Sequence, residues 1–165
     1  MKALYLALFI FILSSCAGSY MLLHQNDLEQ IPEGSSKVVV HVPYDQNKLL
    51  THMAKYFSRE GYPVQTDKVA MQVSTGFKSI EGGASLRMVA SVDTVQNGSR
   101  VIISGEWGLN SNGQAAMYAF AGINMSGTSN KVINEGRLTS TKPGIAFQHM
   151  VLAAKSVPAG TITYK

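Results

Sequence analysis

Histidine side chains bind metal ions and exchange protons near neutral pH, so their spacing is a first test for chemistry. The four histidines are His24, His41, His52 and His149. No two of them are spaced as H-x-H or H-x-x-x-H, the spacings that direct two imidazoles to one side of a strand or helix. No cysteine lies at ligand spacing from any of them. The sequence therefore predicts no metal site and no cofactor, and these histidines are interpreted as ordinary interface residues.

Motifs for nucleophilic catalysis and phosphate binding are missing from the sequence. It has no G-x-S-x-G elbow and no S-x-x-K with its partner motifs. It also has neither G-x-x-x-x-G-K-[ST] nor G-x-G-x-x-G. The stretch from Asp93 to Gly98 resembles the start of a calcium loop, but its third position is Val95 and the closing glutamate is missing. The sequence favours a protein that is not an enzyme.

Glu106 and three aromatic residues are the remaining candidates for a functional surface. Carboxylates cleave glycosidic bonds, and Glu106 directly precedes Trp107. Trp107, Tyr118 and Phe120 would together form an aromatic surface for a glycan, a lipid or another small ligand. The alternative is that Trp107 is a core residue at the end of a strand and that Glu106 is solvated.

Cys16, the only cysteine, follows a segment with the pattern of a secretion signal. Lys2 is the positive residue, Ala3 to Leu13 form an apolar run of eleven residues, and two serines follow. Such a run is too short for a spanning helix and is typical of a signal peptide. A single cysteine excludes a disulfide within the chain, so an exported thiol here needs another explanation.

The four residues Leu13-Ser14-Ser15-Cys16 resemble the lipobox of bacterial lipoproteins. In that family the cysteine thiol is diacylated and the chain is cut before the cysteine. The resemblance implies a signal peptide at residues 1–15 and a lipid anchor on Cys16, which attaches the protein to a membrane of the cell envelope. The alternative is an uncleaved N-terminal anchor helix with an incidental cysteine.

The residue after Cys16 bears on localisation. In cells with two membranes, similar lipoproteins stay at the inner membrane when aspartate follows the cysteine. Ala17 stands here, so the resemblance implies the outer membrane, with the protein facing the periplasm. In a cell with one membrane, the same anchor would place it on the outer face of that membrane.

Composition and charge fit one ordinary domain behind this anchor. The chain has 165 residues, 45% of them hydrophobic, and a formal net charge of +4. Its basic residues are spread along the chain, whereas nucleic-acid binding needs a basic cluster, so no nucleic-acid partner is expected. Residues 16–36 contain Pro, Gly and a serine pair, and are expected to be the lipidated cysteine and a flexible tether. Residues 37–165 are expected to form a single α+β domain.

The first part of this domain has clear strand and helix signals. Val38–Val42 is a β-branched run and predicts a strand. Asp45 can cap a helix that runs to about Glu60, with apolar residues recurring at three- and four-residue spacing. Gly61 then fits a left-handed C-terminal cap. The expected buried stripe of this helix is Leu49, Leu50, Met53, Ala54 and Phe57.

Alternating apolar residues predict three further strands. One is expected from Val69 to Phe77, with every second residue buried, and one over residues 86–92. Asn97-Gly98 predicts a hairpin turn into a third strand that reaches about Trp107. Residues 108–130 are loop-like at both ends, which is unusual in a compact domain and often functional.

A closing helix is expected from Pro143 to Val157, followed by a tail that pairs as an edge strand. Its expected buried face is Phe147, Met150, Val151 and Ala154. The predicted fold is thus α+β, with an antiparallel sheet of about four strands, two helices on one face and the order β-α-β-β-β-α.

This order over residues 37–157, with a first helix ending Gly61-Tyr62-Pro63-Val64, resembles small envelope lipoproteins with a TBP-like α+β domain. The resemblance implies binding rather than catalysis. The leading hypothesis is a non-catalytic module that binds another envelope protein. The second is a module for a small ligand, a glycan or a lipid, and the third is a cell-wall hydrolase that uses Glu106.

Overall fold

The computed structural model describes residues 22–115, 129–136 and 141–165. These residues form an α+β fold, with helices on one face of an eight-stranded antiparallel sheet. The helices are α1 (Gln25–Glu29), α2 (Gln46–Arg59) and α3 (Lys142–Lys155), with a 3-10 turn at Glu81–Gly83. The strands are β1 (Val38–Val42), β2 (Val64–Asp67), β3 (Gln72–Thr75), β4 (Lys78–Ile80), β5 (Ala84–Val95), β6 (Gly98–Leu109), β7 (Asn130–Lys131) and β8 (Thr161–Tyr164).

The long β5–β6 hairpin is the centre of the sheet. Its twelve paired positions run from Ala84 opposite Leu109 to Val95 opposite Gly98. The predicted hairpin is confirmed, but its turn residues are Gln96 and Asn97 rather than Asn97 and Gly98. Gly98 has φ +135, and a side chain there would overlap the Val42 carbonyl of β1. The spatial order is β2-β3-β5-β6-β1-β8, with β4 paired to β5 and β7 paired to β6. The two edges of this main path are therefore β2 and β8.

Helix α2 forms as the sequence predicted. The Asp45 carboxylate accepts hydrogen bonds from the backbone N–H groups of Asn47 and Lys48, which satisfies two of the free donors of the first turn. Gly61 has φ +78 directly after the helix. The predicted stripe is buried at Leu49, Leu50, Met53 and Phe57, while Ala54 is only partly buried.

Helix α3 is buried on more sides than predicted. Thr141 caps it by accepting a hydrogen bond from Gly144 N–H, and Pro143 lies in its first turn. Five consecutive residues, 144–148, are buried, whereas the sequence predicted a single buried face. The reason is that the chain before β1 covers this helix from the outside, since Leu22 and Leu23 donate backbone hydrogen bonds to Gln148. From Leu22 to Ser36, where a tether was expected, the chain packs on the domain.

The number of strands was underestimated. β2, β4 and β7 were missed because all three are short and carry mostly polar residues, so no alternation marks them. The tail was predicted to pair at an edge, and this is confirmed by β8, which pairs with β1. The two main helices lie on one face of the sheet, as predicted.

The strand predicted from Val69 to Phe77 is shorter in the structure, and its ends are exposed. β3 covers only Gln72–Thr75. Val69 lies in a turn where the Asp67 carboxylate accepts the backbone N–H groups of Val69 and Ala70. Local side-chain hydrogen bonding of this kind competes with strand pairing, and the alternating pattern does not reveal it.

The segment 108–130 is ordered at its beginning. β6 continues through Leu109, and residues 111–115 are helical, so the expected loop begins later than Gly108. Tyr118 and Phe120 lie outside the residues that the structure describes, as does Cys16.

Candidate functional site

The face of the sheet opposite the helices is mostly polar and partly exposed along β5 and β6, although Val39 of β1, which also lies on this face, is buried. On β5 and β6 the residues that point away from the core include Arg87, Asp93, Arg100 and Glu106. Arg87 pairs with Glu106 at 2.7 Å and Arg100 with Asp93 at 3.0 Å, each across the hairpin. Between these pairs lie two further positions of the hairpin, Val89 opposite Ser104 and Ser91 opposite Ile102. We call this surface the helix-free face.

A groove of about 530 Å³ opens at one side of the helix-free face. It lies over the part of the sheet formed by β2, β3 and β5. Its lining residues are Pro63, Val64, Gln65, Ser74, Thr75, Gly76, Phe77, Arg87 and Val89.

The groove exists because the strand pairing breaks between β3 and β4. Both strands pair with β5, but Gly76 and Phe77 between them do not. The backbone N–H of Met88, which faces this break, donates to the Thr75 hydroxyl at 2.9 Å instead of a strand carbonyl. Gly76 N–H donates to the Pro63 carbonyl at 2.7 Å and ties the break to the start of β2. Two hydrogen bonds therefore stabilise the break directly before Phe77.

Phe77 is the largest apolar side chain in the groove, and 45% of its surface is exposed. The Arg87 guanidinium lies over its ring, 5.4 Å from the centroid. Arg87 also forms the ion pair with Glu106. Its guanidinium is therefore held in position by two contacts, the Phe77 ring and the Glu106 carboxylate. An aromatic ring next to an ordered arginine is a composition typical of protein interfaces.

Val69 is a second exposed apolar residue, in the turn between β2 and β3, whereas Phe77 follows the other end of β3. It is 97% exposed at the tip of the β2–β3 turn. This turn is held by Asp67 and by Met71, which has the left-handed value φ +49. The turn thus presents Val69 in an ordered conformation. We use the term hairpin surface for Val69, the outer edge of β2 and the groove that contains Phe77.

The structure places Glu106 and Trp107 on opposite faces of the sheet, because neighbouring residues of a strand alternate. Glu106 lies on the helix-free face opposite Arg87, whereas Trp107 lies opposite the buried Leu86 and packs against the core. The two residues proposed from sequence as one sugar site do not share a surface. Phe77 and Arg87 were not predicted from the sequence as site residues. Gly76, which directly precedes Phe77, is a residue type that often interrupts a strand and could have indicated this position.

Two histidines make specific contacts on the helix side of the sheet. His149 Nε2 lies 2.9 Å from Glu81 Oε2, and His52 Nε2 lies 3.2 Å from the Ser156 hydroxyl. Burial raises the pKa of Glu81, but hydrogen bonding to His149 and the nearby charges outweigh it, so this pKa is lowered. Burial, the largest cause, lowers the pKa of His52.

Tyr62 is also on this side and is 95% buried, since only 5% of its surface is accessible. Among the described residues, its hydroxyl has no hydrogen-bond partner. Its ring lies edge-on to Phe57 at 6.1 Å and under Lys78 Nζ at 4.8 Å. Burial raises the pKa of this hydroxyl well above its usual value.

No group of three or more His, Cys, Asp or Glu side chains in the described ranges is arranged to hold a metal ion. No helix within residues 22–115, 129–136 and 141–165 is long and apolar enough to cross a membrane.

Comparison with known proteins yields no match: no family model fits the chain, and no curated protein is significantly similar to it.

Proposed function

We propose that this protein is a lipid-anchored envelope protein that acts as a non-catalytic module and binds another envelope protein through its hairpin surface. The observation that carries the proposal is the exposure of two large apolar side chains, one beyond each end of β3. Among the described residues, three large hydrophobic side chains are exposed: Val69, Phe77 and Ile133. Two of these three belong to the hairpin surface.

The outer edge of β2 adds a second element of recognition. β2 pairs with β3 on one side, and in the described part of the chain no strand pairs with its other side. Unpaired backbone N–H and C=O groups of an edge can bind an extended segment of another protein as an added strand. The occupant we propose is therefore an extended, partly apolar segment of the partner, lying between Val69 and Phe77.

A protein segment fits this surface better than a glycan. Sugars stack on the free face of an aromatic ring, but one face of Phe77 is covered by the Arg87 guanidinium at 5.4 Å. Trp107 lies on the other side of the sheet and packs against the core. Phe77 and Trp107 thus cannot hold a sugar between them.

The anchor and the location rest on the lipobox resemblance at Leu13–Cys16. With the anchor on Cys16, the domain belongs to the envelope. Metabolic labelling with a palmitate analogue, in the native chain and in Cys16→Ser, tests this part on its own. Loss of the label in Cys16→Ser is expected, and equal labelling of both would refute the anchor.

Photo-crosslinking in cells tests the binding surface. A photoreactive amino acid is placed at Val69 or Phe77 in the full-length protein, and at Lys48 or Lys55 as controls on the exposed face of α2. We expect one abundant envelope protein crosslinked from 69 and 77 and not from the controls. Equal crosslinking from all four positions, or none from 69 and 77, would refute the hairpin surface.

A matched pair of substitutions measures the affinity for the captured partner. Phe77→Ala is expected to weaken binding about 30-fold, the effect of a hot-spot side chain of about 2 kcal/mol. Ser79→Ala, on the neighbouring strand β4 and also exposed, is expected to leave binding unchanged. Equal affinities for both variants would contradict a central role for Phe77.

A further inference from the structure

The chain that precedes β1 is held on the domain by two buried amide side chains. Gln148 on α3 is 1% exposed, and its Oε1 accepts the backbone N–H groups of Leu22 at 2.8 Å and Leu23 at 3.2 Å. The Leu23 side chain is itself buried in the core. The first described residues are therefore seated by both polar and apolar contacts.

Asn134 holds the second half of the same segment. Its side-chain amide donates to the carbonyls of Ile31 at 3.2 Å and Pro32 at 3.1 Å. Its backbone carbonyl accepts Gly34 N–H at 2.8 Å, and its N–H donates to the Ser35 carbonyl at 2.7 Å. Four hydrogen bonds to one residue leave this part of the segment little freedom to act as a spacer.

Because the chain is held on the domain from Leu22 onward, only a short segment connects the domain to the proposed lipid anchor on Cys16. Six Cα-to-Cα steps join Cys16 to Leu22, and a fully extended chain of that length spans about 20 Å. If all residues to Ser36 were free, the link would have twenty steps and reach about 70 Å. The acyl chains of Cys16 must lie within the bilayer, so Leu22 must remain within about 20 Å of the membrane surface.

Leu22 lies on the outer side of α3, and the chain that follows it lies towards the β8 edge of the sheet, where the backbone N–H groups of Ser36 and Lys37 donate to the Lys165 carbonyl. Asp27 on α1 pairs with Lys155 at the end of α3, at 2.6 Å. Asp27 is also close enough to β8 for its charge to raise the pKa of Tyr164, although burial raises that pKa more. β8 and β2 are the opposite edges, five strand spacings apart, which is about 24 Å.

We infer that the lipid bilayer is a second contact partner of the folded domain, with the α1–β8 side against the membrane and the hairpin surface directed away from it. This inference rests on the proposed lipidation of Cys16. The hydrogen bonds of Leu22 and Leu23 to Gln148 thereby set the orientation of the domain relative to the membrane. A partner protein then reaches the β2 edge from the aqueous side.

Site-specific quenching in membranes tests this orientation. The lipid occupies Cys16, so one added cysteine carries a fluorophore, either at Thr161 on β8 or at Gln65 on β2, both of which are exposed. The full-length lipidated protein is placed in phosphatidylcholine vesicles that contain a lipid with a nitroxide on its headgroup. We expect quenching at position 161 and none above background at position 65.

A linker variant keeps the fold while removing the constraint. Twelve Gly and Ser residues inserted between Ser19 and Tyr20 leave every contact from Leu22 onward in place but allow the domain to turn freely. The difference between positions 161 and 65 is expected to disappear. Equal quenching at both positions in the native-length protein would overturn the inference.

The outcomes separate this inference from the proposed function. Unequal quenching together with failed crosslinking from 69 and 77 would refute the hairpin surface and leave the orientation standing. Equal quenching together with successful crosslinking from 69 and 77 would refute the orientation and leave the hairpin surface standing. If the protein does not bind the vesicles and Cys16 carries no acyl label, the anchor is refuted and the orientation with it.

Discussion

Replacing Tyr62 with phenylalanine is expected to stabilise the protein. The substitution removes the hydroxyl group and keeps the aromatic ring. The Tyr62 hydroxyl is buried, and no residue in the described part of the chain forms a hydrogen bond with it. Leaving such a group unpaired costs about 1–3 kcal/mol in folding free energy, because water solvates it in the unfolded chain. Tyr62→Phe removes this cost.

The opposing effects of the substitution are smaller. The small void left by the oxygen costs less than about 1 kcal/mol, on the scale of about 24 cal/mol per Å³ of cavity. The ring contact with Phe57 and the position under Lys78 remain with phenylalanine. The net expectation is a gain of about 1 kcal/mol in the free energy of unfolding, or about 3 °C in Tm.

Urea unfolding followed by the fluorescence of Trp107, the single tryptophan, measures this difference. Tyr62→Leu is the control, since it also removes the hydroxyl but loses both ring contacts, and it is expected to be less stable than the native protein. If Tyr62→Phe lowered the free energy of unfolding by more than about 1 kcal/mol, the hydroxyl would have to be hydrogen-bonded, and the reasoning would fail.

Three further changes test the sheet and the titrating groups. Gly98→Ala is expected to lower the free energy of unfolding by more than about 2 kcal/mol, because φ +135 and the adjacent β1 carbonyl exclude a side chain. Urea unfolding measures this loss. A loss below about 0.5 kcal/mol, the scale of an ordinary surface change, would contradict the expectation. Thr75→Val keeps the shape but leaves the buried Met88 N–H without an acceptor; the same assay should show a loss of about 1–3 kcal/mol, and equal stability would show that this hydrogen bond is dispensable. The pKa of Glu81 is lowered in the folded state, so its contribution to stability is present above the unfolded pKa near 4.5 and is lost as the pH falls through the folded value. Glu81→Gln should therefore flatten acid unfolding measured by circular dichroism, and an unchanged acid transition would contradict the pairing with His149.

The sequence predicted the regular parts of the fold because their signals are local. Asp45 and Gly61 mark both ends of α2, and Asn97-Gly98 marks the place of the longest hairpin, although its two turn residues are Gln96 and Asn97. Each of these signals needs only neighbouring residues. The buried stripe of α2 followed for the same reason.

The candidate site could not be predicted, because it depends on contacts between distant residues. Phe77 continues an alternating pattern and was expected in the core, yet the hydrogen bond of Gly76 to Pro63 takes it out of the strand. Glu106 and Trp107 are adjacent in the chain, and only the register of β6 shows that they lie on opposite faces. The seat of Leu22 on Gln148 joins residues 126 positions apart, which no local pattern reveals.

The pairing of β8 with β1 has a consequence for how the chain reaches its native state. The β5–β6 hairpin closes over a two-residue turn. The outer edge of β1, in contrast, is covered only when it pairs with β8, which lies at least 120 residues later in the chain. Contacts of such long sequence separation form late. Until then, one edge of Val38–Val42 stays uncovered, and a β-branched run of this kind is prone to aggregate. We therefore expect β8 to act as an intramolecular shield, so that nascent chains lacking it are the species most in need of a chaperone.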